Sequence, residues 1–139
     1  MAIQDRYLEY AEAFEKSFKD DNWARIEPYF TDGAVYEGEP VARGRAAILV
    51  KLQNSVDNFD RRMDTRTLTF QKPTTRADAV TVRWKATYTK KGLPDLTLSG
   101  TETATFEGDR IASLRDDFDA DAQKAMGEWM EKHGKALQG

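Results

Sequence analysis

Apolar residues recur at helical spacing near the start of the chain, with charged residues between them: Ile3, Tyr7, Ala11, Phe14 and Phe18. This period places them on one face of an amphipathic helix, predicted over about 3–20. A short second helix is predicted around Trp23 and Ile26, and Pro28 limits its length. A third helix is predicted over about 45–56.

After residue 62 the pattern changes to threonine, valine and aromatic residues in alternation with polar ones. Four segments are typical of strands, RMDTRTLTFQK, AVTVRWKATYT, DLTLSGTETATF and RIASLRDDF, and turn-forming residues separate them. The sequence TDGA at 31–34 predicts a turn before a short strand, and a helix is predicted over about 120–137. Three early helices that cover one face of a mostly antiparallel sheet make an α+β arrangement.

Composition narrows the possible functions. A chain of 139 residues with 40% hydrophobic residues can form one domain with its own core. A net charge of −3 and the lack of a basic run argue against nucleic-acid binding. The chain has no cysteine, which excludes disulfides and zinc thiolates. No segment has the length of a membrane span and the first residues are charged, so we expect a cytoplasmic protein that does not bind membranes.

Two stretches carry a family resemblance: NWARIEPYFTDGAVYEGEPVARGRAAI at 22–48 and LSGTETATFEGDRIASLRDDFD at 98–119. They resemble the nuclear-transport-factor-two-like superfamily, which includes SnoaL-like domains. The resemblance covers about 5–118 and implies a cone-shaped, curved sheet wrapped on three N-terminal helices, a cystatin-like roll. The C-terminal helix at about 120–137 is an addition to this roll. The resemblance implies one SnoaL-like domain over 1–139 and a homodimer that forms through the outer face of the sheet.

Limonene-epoxide-hydrolase-like relatives end the last strand in Arg-Asp-x-Phe-Asp. The matching residues here are Arg115, Asp116, Phe118 and Asp119. In those enzymes the first Asp acts with an Arg and a second Asp to activate water and protonate an epoxide. The resemblance places that Arg on Arg83 and a water-positioning Tyr on Tyr36. The second Asp falls on Lys85 and a water-holding Asn falls on Gly38, so the chain departs from the pattern at two positions.

Two other groups of relatives suggest different chemistry. Ketosteroid-isomerase-like members carry a general-base Asp where this chain has Gly38. The neighbouring Glu37 points to the opposite face of a strand, so it does not replace that base. SnoaL-like polyketide cyclases use an acid late in the sheet, and Asp116 is the counterpart that the resemblance implies.

Strand alternation indicates which side chains share a face with Asp116. They are Ala112, Leu114 and Phe118 from the same strand, and Leu98 and Glu102 from the preceding one. Asp116 is then expected to lie against apolar walls. Desolvation raises the pKa of a carboxyl group in such a place, and a nearby cation lowers it. This balance is typical of a general base.

Two assignments are open for the strand at 80–88. The resemblance turns Arg83 and Lys85 into the pocket. Because unpaired buried charge is costly, we expect Arg83 to pair with Glu102, which leaves Asp116 near Lys85 or Tyr36. Hydrophobicity alone favours the opposite face, made of Val82, Trp84, Ala86 and Tyr88. We expect the first assignment.

A metal site is not expected. The segment at 117–128 has acids at four positions of a calcium loop, but Ala122 stands where such a loop needs glycine. Acids near the first turn of the last helix explain the run better. His133 is the single histidine, so no histidine metal cluster can form.

The sequence therefore predicts a pocket for a small, largely apolar ligand and acid–base chemistry of isomerase, cyclase or hydrolase type without a cofactor. Asp116 is the expected base, and Tyr36 and Arg83 position or polarise the substrate. Lys85 and Glu102 are expected to tune the charge. The apolar walls are expected from Leu98, Leu114 and Phe118. The alternative is a non-catalytic ligand-binding or protein-association module, closed by the Glu102–Arg83 pair.

Overall fold

The computed structural model describes residues 2–38 and 40–137. In this part of the chain the α-helices are α1 (Ile3–Asp20), α2 (Arg45–Asn58) and α3 (Ala120–His133). The strands are β1 (Phe30–Tyr36), β2 (Ala42–Arg43), β3 (Thr65–Phe70), β4 (Thr74–Arg76), β5 (Ala79–Thr89), β6 (Leu96–Glu107) and β7 (Arg110–Phe118). Short 3-10 helices span Trp23–Tyr29, Asp60–Arg62 and Gly134–Leu137.

All seven strands belong to one curved, open sheet. Its order is β2-β1-β7-β6-β5-β3, and β4 pairs with β5. Among the described strands only the β1–β7 pair is parallel. The predicted α+β class with a mostly antiparallel sheet is confirmed. No helix in the described ranges is long and apolar enough to cross a membrane.

The elements differ from the prediction in four places, one of which is the last helix, predicted to residue 137, where α3 ends at His133 and a 3-10 helix follows. The segment TDGA at 31–34 is part of β1 rather than a turn, although the pairing of β1 with β7 shifts between Phe30 and Val35. The second helix is a 3-10 helix, with Pro28 inside it. Strands β2 and β4 were not predicted because two or three residues are too few to show an alternating pattern.

The main core lies between α1, α2 and the inner face of the sheet. Its most buried side chains include Tyr7, Ile26, Phe30, Ile48, Ile111 and Leu114. A second cluster lies under α3, where Trp129 packs with Leu96 and Leu98. The Trp129 indole N–H donates to the carbonyl of Pro94 at 2.9 Å. Helix α3 therefore covers a part of the inner face of the sheet that lies beyond the main core.

A β-bulge in β7 changes the predicted face of this strand. Ser113 pairs with Thr105, but Ile111 pairs with Phe106, so Ala112 is the extra residue. Ile111 is consequently buried in the main core. The predicted placement of Ala112 on the face of Asp116 is wrong for this reason.

Gly100 on β6 allows a close approach of β5 and β7. A Cβ there would lie 2.5 Å from the Asp117 carbonyl oxygen and 2.8 Å from Cζ2 of Trp84. We expect Gly100→Ala to lower the free energy of unfolding by about 1–3 kcal/mol because the backbone must move. Gly33→Ala is the matched control, since nothing lies within 4 Å of its added Cβ. Equal unfolding midpoints for the two variants in denaturant titrations would contradict this packing.

Candidate functional site

A cavity of about 500 Å³ lies between α1, α2 and the inner face of the sheet. Aromatic rings form much of its wall, among them Tyr7, Tyr10, Tyr36, Trp84, Tyr88 and Phe118. The wall reaches solvent at Ser55, at Phe70 and at Phe118, which is 38% exposed. This volume lies in the range of small-molecule sites.

Two carboxyl groups meet on the wall of the cavity. Glu102 on β6 lies directly opposite Asp116 on β7, and opposite residues of antiparallel strands point to the same face. The Tyr7 hydroxyl donates to Oε1 of Glu102 at 2.6 Å. The Tyr36 hydroxyl donates to Oδ2 of Asp116 at 2.5 Å. Helix α1 and strand β1 thus supply one phenol to each carboxyl group.

The pair has no salt bridge to a lysine or arginine in the described ranges. Burial raises the pKa of Glu102 well above its ordinary value, and the charge of Asp116 and a hydrogen bond between the two carboxyl groups raise it further. The hydrogen bond from Tyr7 lowers the pKa of Glu102, but by less. Two close carboxylates avoid a double negative charge by sharing one proton, and Glu102 is the favoured holder of that proton.

The two phenols remain protonated. Burial, followed by the charge of Asp116, raises the pKa of Tyr36 above its ordinary value. Burial and the charge of Glu102 do the same for the pKa of Tyr7. Both hydroxyl groups are therefore permanent hydrogen-bond donors to the carboxyl pair at physiological pH.

Four of the residues singled out from the sequence meet at the cavity, namely Tyr36, Glu102, Asp116 and Phe118. The inner face predicted for β6 is confirmed, since its buried and cavity-facing residues alternate with the others. The catalytic roles of these residues stay predictions.

Arg83 and Lys85 lie on the other face of the sheet, so their predicted place in the pocket is wrong. Val82 is directly opposite Glu102 and therefore shares its face, which turns Arg83 and Lys85 outward. The Arg83 guanidinium binds both carboxylate oxygens of Asp119, at 2.8 and 2.7 Å. This bond and one from Ser99 lower the pKa of Asp119 to about 2. The assignment based on hydrophobicity alone is the correct one for β5.

Leu98 and Leu114 are on the inner face as predicted, but neither lines the cavity. Leu98 packs under α3, and Leu114 is 1% exposed within the main core. The walls of the cavity are largely aromatic. They include Phe118, as predicted, and rings from α1 and β5 that were not predicted as cavity walls.

Sequence reasoning missed Tyr7 and a second polar cluster around Arg66. Tyr7 belongs to the apolar stripe of α1, but a buried phenol needs an acceptor, and this requirement was the available signal. Arg66 on β3 forms salt bridges with Glu15 at 2.7 Å and with Asp60 at 2.9 Å, and all three line the cavity. Burial raises the pKa of Asp60, whereas the charge of Arg66 lowers it.

The acidic run at 117–128 lies at the end of β7 and along α3. No group of three or more acidic, histidine or cysteine side chains in the described structure could hold a metal ion. Asp119 occupies the N-cap position of α3, yet its side chain makes no capping bond, because it binds Arg83 and Ser99 instead. Asp121 lies in the first turn of α3, in agreement with the prediction that acids lie at the start of this helix.

The family model described as the SnoaL-like domain matches residues 9–114. The chain belongs to the SnoaL-like domain family. This match confirms the resemblance to SnoaL-like domains, and the similar structures, one of them named a cystatin fold protein, confirm the predicted cystatin-like roll. No curated protein matches the chain by sequence.

Similar solved structures share the fold at low identity. TerC, co-crystallised with polyporic acid, has a TM-score of 0.64 at 18% identity, over 91% of this chain and 98% of its own. Bal32a, from a soil-derived mobile gene cassette, has a TM-score of 0.67 at 16% identity, over 92% of this chain and 98% of its own. An LEH-like epoxide hydrolase of M. tuberculosis has a TM-score of 0.61 at 17% identity, over 91% of this chain and 92% of its own. Identities this low show the fold alone.

Proposed function

We propose that this chain binds a small, largely apolar molecule in the cavity and catalyses acid–base chemistry of isomerase, cyclase or hydrolase type. The observation that carries the proposal is the Glu102–Asp116 pair on the cavity wall. Paired titratable groups whose surroundings separate their protonation states are typical of acid–base sites. The names of two similar structures support a small-molecule role, since one is an epoxide hydrolase and the other was crystallised with polyporic acid.

In this proposal the two carboxyl groups have opposite tasks. The Asp116 carboxylate takes a proton from a substrate carbon or from an attacking water molecule. Glu102 gives its proton to the substrate oxygen on which negative charge develops. The pair thus keeps one proton in total, and Tyr7 and Tyr36 hold the two carboxyl groups in place through their hydroxyl groups. Proton transfer of this kind contributes about 10²–10⁴ in rate.

The test is whether blocking the cavity removes ligand binding. Ser55 is an exposed residue of α2 that lines the cavity, and its neighbour Asn54 is exposed but does not line it. Terpenoid, steroid and polyketide-like compounds are screened by thermal shift and NMR titration. We expect Ser55→Trp to weaken the binding of hits at least tenfold and Asn54→Trp to leave it unchanged. Equal binding by both variants would place the binding site elsewhere and contradict the proposal.

Association of two copies through the outer sheet face stays a prediction, as does a cytoplasmic location. The outer face of the central strands carries Thr101, Thr103 and the Arg83–Asp119 pair, so it is polar. Sedimentation equilibrium of the purified chain measures whether a dimer forms at micromolar concentration.

A further inference from the structure

The carboxyl pair lacks a cationic partner although the cavity contains two cations. Arg66 is already engaged by Glu15 and Asp60. Lys51 on α2 donates to the carbonyl of Pro40 at 2.6 Å. The ionisable groups that line the cavity include four carboxyl groups, of Glu15, Asp60, Glu102 and Asp116, against these two cations and the phenols. Because the pair shares one proton, the cavity carries three negative charges against two positive ones, and the negative charge of the pair has no salt bridge among the described residues.

The groups that face the pair from the surrounding elements do not neutralise it. Helix α1 contributes the hydroxyl groups of Tyr7 and Tyr10, and strand β1 contributes that of Tyr36. Strand β5 contributes Val82 and Trp84, which carry no charge. A carboxylate in such surroundings is poorly solvated, and a charge partner within the cavity stabilises it.

The rings beside the pair offer a second attraction for a cation. The Lys51 ammonium lies 5.0 Å from the centroid of the Tyr36 ring, so this ring already receives one cation on its face. Trp84 and Phe118 pack edge to face, with their centroids 5.2 Å apart, and both line the cavity. An apolar body can pack on these rings while its charged end lies at the carboxyl pair.

We propose that the cavity prefers an apolar organic cation, a molecule whose protonated amine lies at the Glu102–Asp116 pair and whose hydrocarbon body packs on the surrounding rings. This inference rests on the proposed function and names its substrate class. A neutral ligand of the same shape leaves the Asp116 charge without a partner. An anionic ligand adds a repulsion to the same place.

Three probes of similar shape test this preference: 2-phenylethylamine, 2-phenylethanol and 3-phenylpropanoate. Their dissociation constants are measured by NMR titration of the full chain at neutral pH and fixed ionic strength. We expect the amine to bind at least tenfold more tightly than the alcohol, and the carboxylate to bind weakest. Asp116→Asn should remove the preference for the amine, whereas Lys51→Met should keep or increase it.

Asp117→Asn is the matched control for the change in net charge. Asp117 is the next residue of β7, but it is exposed and pairs with Arg115 at 3.0 Å. This variant should keep the preference for the amine. An alcohol that binds the wild-type chain as tightly as the amine overturns the cationic class and leaves the proposed binding cavity standing. Lack of binding by all three probes overturns this inference, and the Ser55→Trp comparison then decides the proposed function separately.

Discussion

Replacement of Asp116 by asparagine is expected to lower the turnover of a substrate bound in the cavity by about 10²- to 10⁴-fold. Asparagine has nearly the same shape and its amide oxygen still accepts the bond that the Tyr36 hydroxyl donates. It cannot accept a proton from a substrate, however. The loss should therefore appear in kcat, measured at saturating substrate, while the thermal unfolding midpoint shows that the chain is folded.

The same substitution one residue further along β7 gives the control. Asp117→Asn removes an equal charge from the exposed face of the sheet, so we expect turnover within a factor of two of the wild type. A similar loss of kcat in both variants would indicate a general effect of charge. Full activity of Asp116→Asn would exclude this carboxylate as the base.

Glu102→Gln is expected to make the protein more stable at alkaline pH by at least about 1.4 kcal/mol, the free energy of a one-unit rise in pKa. The pKa of Glu102 is raised in the folded state, chiefly by burial. Between its ordinary value of 4.5 and the raised value, the folded chain holds more protons than the unfolded chain. The free energy of unfolding therefore falls as pH rises through that interval. Glutamine keeps the acceptor for Tyr7, donates to Asp116 and removes this loss.

Denaturant unfolding at a series of pH values measures the effect. The two proteins should have similar stability below pH 4.5, where Glu102 is protonated in both states. The difference should grow with rising pH. Glu107→Gln, at the exposed end of β6, is the control and should follow the wild type. A wild type that is more stable than Glu102→Gln at alkaline pH would show that the ionised pair is favourable.

The helices and long strands follow from local sequence patterns. The stripe on α1 predicts its bounds, Ile3–Asp20, because a surface helix buries one face. The alternation along β6 predicts that Glu102 shares a face with Leu98, because the strand period is two. The resemblance adds Tyr36 and Asp116, which the structure brings within hydrogen-bond distance of each other.

The features that were predicted wrongly or not predicted depend on contacts between distant segments of the chain. The face of β5 is set by its register with β6, and the apolar residues of β5 indicated that face correctly. The resemblance gave the wrong orientation of Arg83. It carried over the role of an Arg from the relatives, although a second Asp that acts with that Arg falls on Lys85 in this chain. The bulge at Ala112 and the contact of Tyr7 with Glu102 are likewise tertiary features. No periodicity within one segment reveals them.

Glu102 and Asp116 share one proton in the structure described above, and a ¹³C NMR titration of the glutamate side-chain carboxyl carbons can detect that proton. Glu102→Gln identifies the Glu102 resonance by its disappearance. We expect this carbon to keep the chemical shift of a protonated acid at about pH 6, well above the pH at which exposed glutamates have ionised. Ionisation of Glu102 together with those exposed glutamates would show that the two carboxyl groups do not share a proton.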